Sequence, residues 1–109
     1  MVMYNLIKNA VTSIEEKAKE KGEIILSTRY ENKRYIIKIT DNGIGLDNEF
    51  KDIIFELGYT TKPDGTGVGL YFVQETVENK WEGNIRLLSQ KGKGSTFIIE
   101  IPEYINFKN

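Results

Sequence analysis

The 109-residue chain has no cysteine, no histidine and only two prolines. Without cysteine there can be no disulfide, thiol nucleophile or cysteine zinc site. Without histidine the chain lacks the side chain most used for proton transfer near neutrality, which is also the commonest transition-metal ligand. Chemistry here must rest on carboxylates, amides, hydroxyls, amines and backbone. No apolar run approaches the roughly 20 residues a membrane span needs, and Met1-Val2-Met3-Tyr4-Asn5 has no basic-then-apolar leader character. Charge of one sign is missing too, with 15 Lys and Arg against 16 Asp and Glu. That balance offers no broad basic field to nucleic acid or to an anionic membrane. The expectation is a domain of a reducing compartment, the cytoplasm by default, without direct membrane contact.

What is present suffices for one core. Apolar residues at 39% and aromatics at 11% predict a single folded domain over residues 1–109. Met3, Leu6, Ile7, Ala10, Ile14 and Ala18 recur at three- and four-residue steps, predicting a helix from residue 1 to about 21, stopped by Gly22. The pattern is in phase from Met3 with no cap before it, as in a helix entered part-way, so a fragment of something longer is expected. Alternation through Ile24–Tyr30 and Tyr35–Ile39, around the polar Glu31-Asn32-Lys33, predicts a hairpin. Residues 41–67 are glycine-rich and aperiodic, with one short helical piece near Asn48–Phe55. Leu70, Val73, Val77 and Trp81 mark a second helix from Val68 to about Lys80, ended by Gly83. A second hairpin follows, with Ile85 and Leu87 facing Phe97, Ile99 and Ile101 across a Gln90–Gly94 turn. This order predicts an α+β two-layer sandwich: a mixed, mostly antiparallel sheet with helices on one face.

Four places carry possible chemistry. Gly65-Thr66-Gly67-Val68-Gly69-Leu70 lies where a loop enters a helix, so its backbone N–H groups suit either an anion or a plain flexible turn. Leu70 at the third glycine position argues against a dinucleotide fingerprint, and the absence of Gly-Lys-Ser/Thr excludes a P-loop. Asp41-Asn42-Gly43-Ile44-Gly45 follows a strand without a partner strand resuming, which weakens a simple hairpin turn. There a carboxylate beside glycines can accept a hydrogen bond from a base's exocyclic amine. Asn5 and Asn9 sit one turn apart on a helix face, as a solvated flank or as an amide ligand for a hard cation. Lys62 can neutralise phosphate or be an ordinary surface lysine.

Taken in order, Asn5-Leu6-Ile7-Lys8-Asn9-Ala10, Asp41-Asn42-Gly43-Ile44-Gly45, Phe55-Glu56-Leu57-Gly58-Tyr59-Thr60-Thr61-Lys62 and Gly65-Thr66-Gly67-Val68-Gly69-Leu70 resemble the N, G1, F and G2 boxes of the ATP-binding catalytic domain of sensor histidine kinases. Gly92-Lys93-Gly94-Ser95-Thr96-Phe97 is similar to the glycine-Thr-Phe element of that domain's last hairpin. The wider superfamily, with DNA gyrase, a heat-shock chaperone and mismatch-repair ATPases, shares the Bergerat α/β sandwich. The resemblance implies ATP and Mg²⁺ as cofactors. Asp41 would take the adenine amine, Gly43 and Gly45 would shape the base pocket, and Thr96 would lie nearby. Asn9 would ligate Mg²⁺, while Gly65, Thr66, Gly67, Val68, Gly69 and Leu70 would face phosphate. A lid over residues 47–64 would contribute Tyr59, Thr60, Thr61 and Lys62.

Asn5 stands where hydrolysing members carry a water-activating Glu, and an amide has no useful proton affinity. The resemblance therefore implies γ-phosphate transfer to a protein, with slow intrinsic hydrolysis. The acceptor histidine and its dimerising two-helix segment are absent from this sequence, as are the strand and first helical turn that usually precede the N box. The implied partners are that phosphoacceptor domain and a downstream response regulator, with no nucleic acid. An anti-sigma-type serine kinase, a non-catalytic nucleotide-sensing module and a structural α+β domain are the competing readings.

Overall fold

A computed structural model describes residues 1–17, 21–59 and 68–103. The first helix, α1, spans Val2–Lys17 and buries Val2, Leu6 and Ala10. Strands β1 (Ile24–Glu31) and β2 (Arg34–Asp41) form the first hairpin; β3 (Asn84–Gln90) and β4 (Gly94–Pro102) form the second. Between the hairpins come two single 3-10 turns, Asn48–Phe50 and Ile53–Phe55, and then α2, Gly69–Glu75. The sheet order is β1-β2-β4-β3, and all three pairings are antiparallel. The parallel pairing implied by a mixed sheet is therefore not found among the described strands.

Strand parity divides the sheet into two faces. Ile39, Phe97, Ile99, Ile101, Ile85 and Leu87 point to the helical layer, where they meet Leu6, Val73 and Val77 in one core. Phe55 joins that core edge-on to Phe97, with ring centroids 6.2 Å apart, so the segment after β2 is anchored by an aromatic. On the other face Thr40 and Thr96 share a hydroxyl hydrogen bond of 3.0 Å. There Glu100 bridges to Arg34 at 3.3 Å and to Arg86 at 3.6 Å. Strand β1 lies at the sheet edge and is exposed along its length.

The second helix differs from a plain α-helix at its end. Residues Thr76–Lys80 are π-helical, closed by the Trp81 N–H on the Thr76 carbonyl at 3.0 Å. Val73, Val77 and Trp81 recur every four residues, a spacing that drifts around an α-helix but is held on one face by the wider π turn.

The first hairpin turns on Asn32 and Lys33, at φ 52° and 62°. Two left-handed residues in a two-residue loop make a type I′ turn, which suits Asn at the first position and glycine at the second. Lys33→Gly is expected to raise stability by about 0.5–1 kcal/mol. Denaturant unfolding with an unchanged slope checks this, and a lower midpoint would contradict the turn geometry.

Candidate functional site

The last residue of β2, Asp41, is only 5% exposed, although its strand ends there and the chain turns away into Asn42-Gly43-Ile44-Gly45. Its carboxylate accepts the Gly43 N–H at 2.8 Å. Burial pushes this carboxyl above the ordinary carboxylate range, and hydrogen bonds from the Gly43 N–H, the Ser13 hydroxyl and the Ser95 N–H pull it back in part. The carboxylate is thus a buried acceptor at a strand end, beside glycines.

The glycines act through close backbone approach. A Cβ on Gly43 would lie 2.3 Å from Ser13 Oγ and 2.5 Å from the Ser13 carbonyl carbon. The loop thus rests directly on α1, where the Ile44 N–H donates to the Ser13 carbonyl at 3.0 Å. Gly45, at φ +69°, sits against the second hairpin, its absent Cβ 2.2 Å from the Gln90 carbonyl oxygen. The Gly92 N–H donates to the Ile44 carbonyl, joining the same two segments.

Asn42 is committed to holding the loop from behind. Its side-chain oxygen accepts the Glu23 N–H at 2.8 Å, and its amide nitrogen donates to the Lys21 carbonyl at 2.8 Å. It ties the start of the loop to the connection between α1 and β1.

On α1, the Asn5 side chain donates to the Met1 carbonyl at 2.9 Å. Its oxygen lies where a Cβ on Gly69 would approach within 2.8 Å, so the start of α2 abuts the Asn5 side chain. Asn9, one turn on, is exposed on the same side of α1. Val68 is the exposed residue before α2, whereas Leu70 and Tyr59 are partly buried and packed against the core. Thr60, Thr61, Lys62, Gly65, Thr66 and Gly67 lie outside the described residues.

Thr96 is not gathered with this set. Its register partner is Thr40, on the face opposite Asp41, because neighbouring residues of a strand alternate sides. Ser95 is the residue paired with Asp41. Ser13, Asn42, Ser89 and Ser95 were not given roles by the motifs. Strand parity counted from Phe97 would have favoured Ser95 over Thr96; Ser13 lies in the polar stripe beside Asn9 and Asn42 inside the Asp41 motif, while nothing local marks Ser89.

Magnesium takes oxygen ligands and keeps several waters, using one or two protein side chains alongside phosphates. No cluster of three or more acidic groups occurs among the described residues. Asn9 is an exposed amide, one oxygen donor of the kind a hard cation takes, and by itself does not make a resident metal site.

A family model described as histidine kinase-, DNA gyrase B-, and HSP90-like ATPase matches residues 1–105. The sensor histidine kinase ZraS of Escherichia coli (strain K12) is 37% identical over 108 residues, 99% of this chain and 22% of ZraS. The chain thus corresponds to a small part of such a relative. The catalytic domain of histidine kinase ThkA has a TM-score of 0.77 at 30% identity, covering 94% of this chain and 64% of that one. Full-length ShkA, solved in complex with AMPPNP, has a TM-score of 0.82 at 25% identity, covering 98% of this chain and 22% of ShkA.

Proposed function

The chain belongs to the family of histidine kinase-, DNA gyrase B- and HSP90-like ATPases, and we propose that it binds Mg·ATP and presents the γ-phosphate to a histidine on a separate dimerising helical segment. The observation that carries this reading is the buried, hydrogen-bonded Asp41 carboxylate at the open end of β2. The likeness to sensor histidine kinases, and to a protein solved with the ATP analogue AMPPNP, supports it.

In this reading Asp41 accepts the adenine amine, and a base that lacks an amine there leaves the carboxylate unpaired. Gly43 and Gly45 let the loop pack against α1 and the second hairpin, which fixes the loop that carries the carboxylate. Phosphates extend toward the start of α2, with Lys62 and the Gly65-Thr66-Gly67 backbone as further contacts. Asn9 would hold Mg²⁺, whose charge offsets that of the phosphates during transfer. Asn5, an amide turned back along α1, cannot deprotonate water, so transfer to a protein is favoured over hydrolysis. A response regulator would then take the phosphoryl group, in two-component signalling on the cytosolic side. No helix among the described residues is long and apolar enough to cross a membrane.

Incubation with labelled ATP and a separately supplied histidine-bearing two-helix segment from a related kinase tests this. The expected product is an acid-labile phosphohistidine on the added segment, none on this chain, and free phosphate release much slower than transfer. Fast hydrolysis without transfer, or an acid-stable phosphoserine on a partner, would exclude the histidine-kinase reading.

A further inference from the structure

The motif residues account for Asp41 and its glycines, but not for what stops the loop after Gly45 from lifting. Ser89, near the end of β3, meets that need. Its hydroxyl oxygen accepts the Leu46 N–H at 2.8 Å. It also lies 2.7 Å from Ser95 Oγ and donates toward the Gly94 carbonyl at 3.1 Å. A serine hydroxyl has one proton and two lone pairs. Donating to Gly94 while accepting from Leu46 and from the Ser95 hydroxyl uses all three.

This single side chain therefore closes a circuit. Asp41 pairs in register with Ser95 across β2 and β4. Ser95 is in turn the cross-strand partner of Ser89, and Ser89 holds Leu46. The two ends of the loop from Asp41 to Leu46 are thereby tied to the same pair of serines. Ser89 is half-buried, so water competes only weakly for these groups.

Resting on the nucleotide-binding reading above, we propose that Ser89 is a positioning residue for nucleotide recognition: through Leu46 and Ser95 it sets the placement of the loop that carries Asp41. It does not touch the nucleotide. Its loss frees the far end of the loop, so that binding must reorder it.

Calorimetry with AMPPNP and Mg²⁺ on the full chain tests this, together with amide hydrogen exchange of the nucleotide-free protein. Ser89→Ala is expected to weaken binding about five- to tenfold, as one net hydrogen bond implies. It should speed exchange at Leu46 by at least a similar factor while the amides between β2 and β4 stay protected. Ser89→Thr, which keeps the hydroxyl and suits a strand, should restore both. A merely structural serine would lower the melting temperature and leave the affinity of the folded fraction unchanged, which would overturn the proposal. Unchanged Leu46 exchange in Ser89→Ala would overturn it as well. If the native chain binds no AMPPNP, the functional reading falls along with it, whereas native binding matched by Ser89→Ala removes the positioning role alone.

Discussion

Gly94→Ala should be the most damaging conservative change in the described part of the chain. Gly94 is buried at φ +106°, and a Cβ there would lie 2.0 Å from the Asp41 carbonyl oxygen and 3.0 Å from Asn42 Cα. Both neighbours are backbone, Asp41 paired in the sheet and Asn42 held by its bonds to Glu23, so no side-chain rotation relieves the overlap. The positive φ adds its own strain for any residue with a Cβ. Together these should cost more than about 3 kcal/mol, enough to lower the melting temperature of a domain this size by over about 10 °C. Gly92→Ala is the control. It shares a positive φ, +87°, but has nothing within 4 Å of the added carbon. Strain alone predicts a loss of about 1 kcal/mol there. Equal melting temperatures for the two variants would refute the close approach between the second hairpin and the Asp41 loop.

Asp41 should show its function as a loss of affinity and its setting as a pH dependence. Asp41→Ala removes a charged acceptor from the proposed adenine contact, so AMPPNP affinity should fall at least about tenfold and up to about a hundredfold. Unchanged affinity would count against the whole site. Stability should respond differently. Burial raises the folded carboxyl above its unfolded value, so the native state holds this proton more tightly than the unfolded chain does. The group's contribution is thus fully present below the unfolded pKa and lost as pH rises through the raised folded one. Asp41→Asn cannot titrate. Its melting temperature relative to the native chain should therefore become more favourable between pH 4 and pH 7.5. A flat difference across that range would mean the carboxyl is not held above its ordinary value.

Much of this architecture was legible from periodicity. The three- and four-residue steps of Leu6 and Ala10 and the alternation through Ile37, Ile39, Phe97 and Ile99 state which faces are buried, because burial of one face is what selects those patterns. The glycine positions and Asp41 marked the loops, since few other residues permit such turns or stand acidic at a strand end. The limits of local reading show at Thr96 and Ser95. The hydroxyl nearer the motif's expected place faces away, and one step of strand parity decides which residue meets Asp41. The π-helical end of α2 was equally hidden, because it depends on where Val77 and Trp81 must land.

By itself, then, the sequence determined the element order, the core faces and the chemical inventory: carboxylate, amides and glycines, with no histidine to accept a phosphoryl group. The tertiary structure alone decided how the parts are joined. It set Gly43 on Ser13, Gly45 and Gly94 against backbone from the opposite segment, and Ser89 between the two ends of the loop. The physical reason is range. Periodicity and turn chemistry act over a few neighbouring residues, whereas these contacts join positions far apart in the chain, whose distances are fixed only when the sheet has formed.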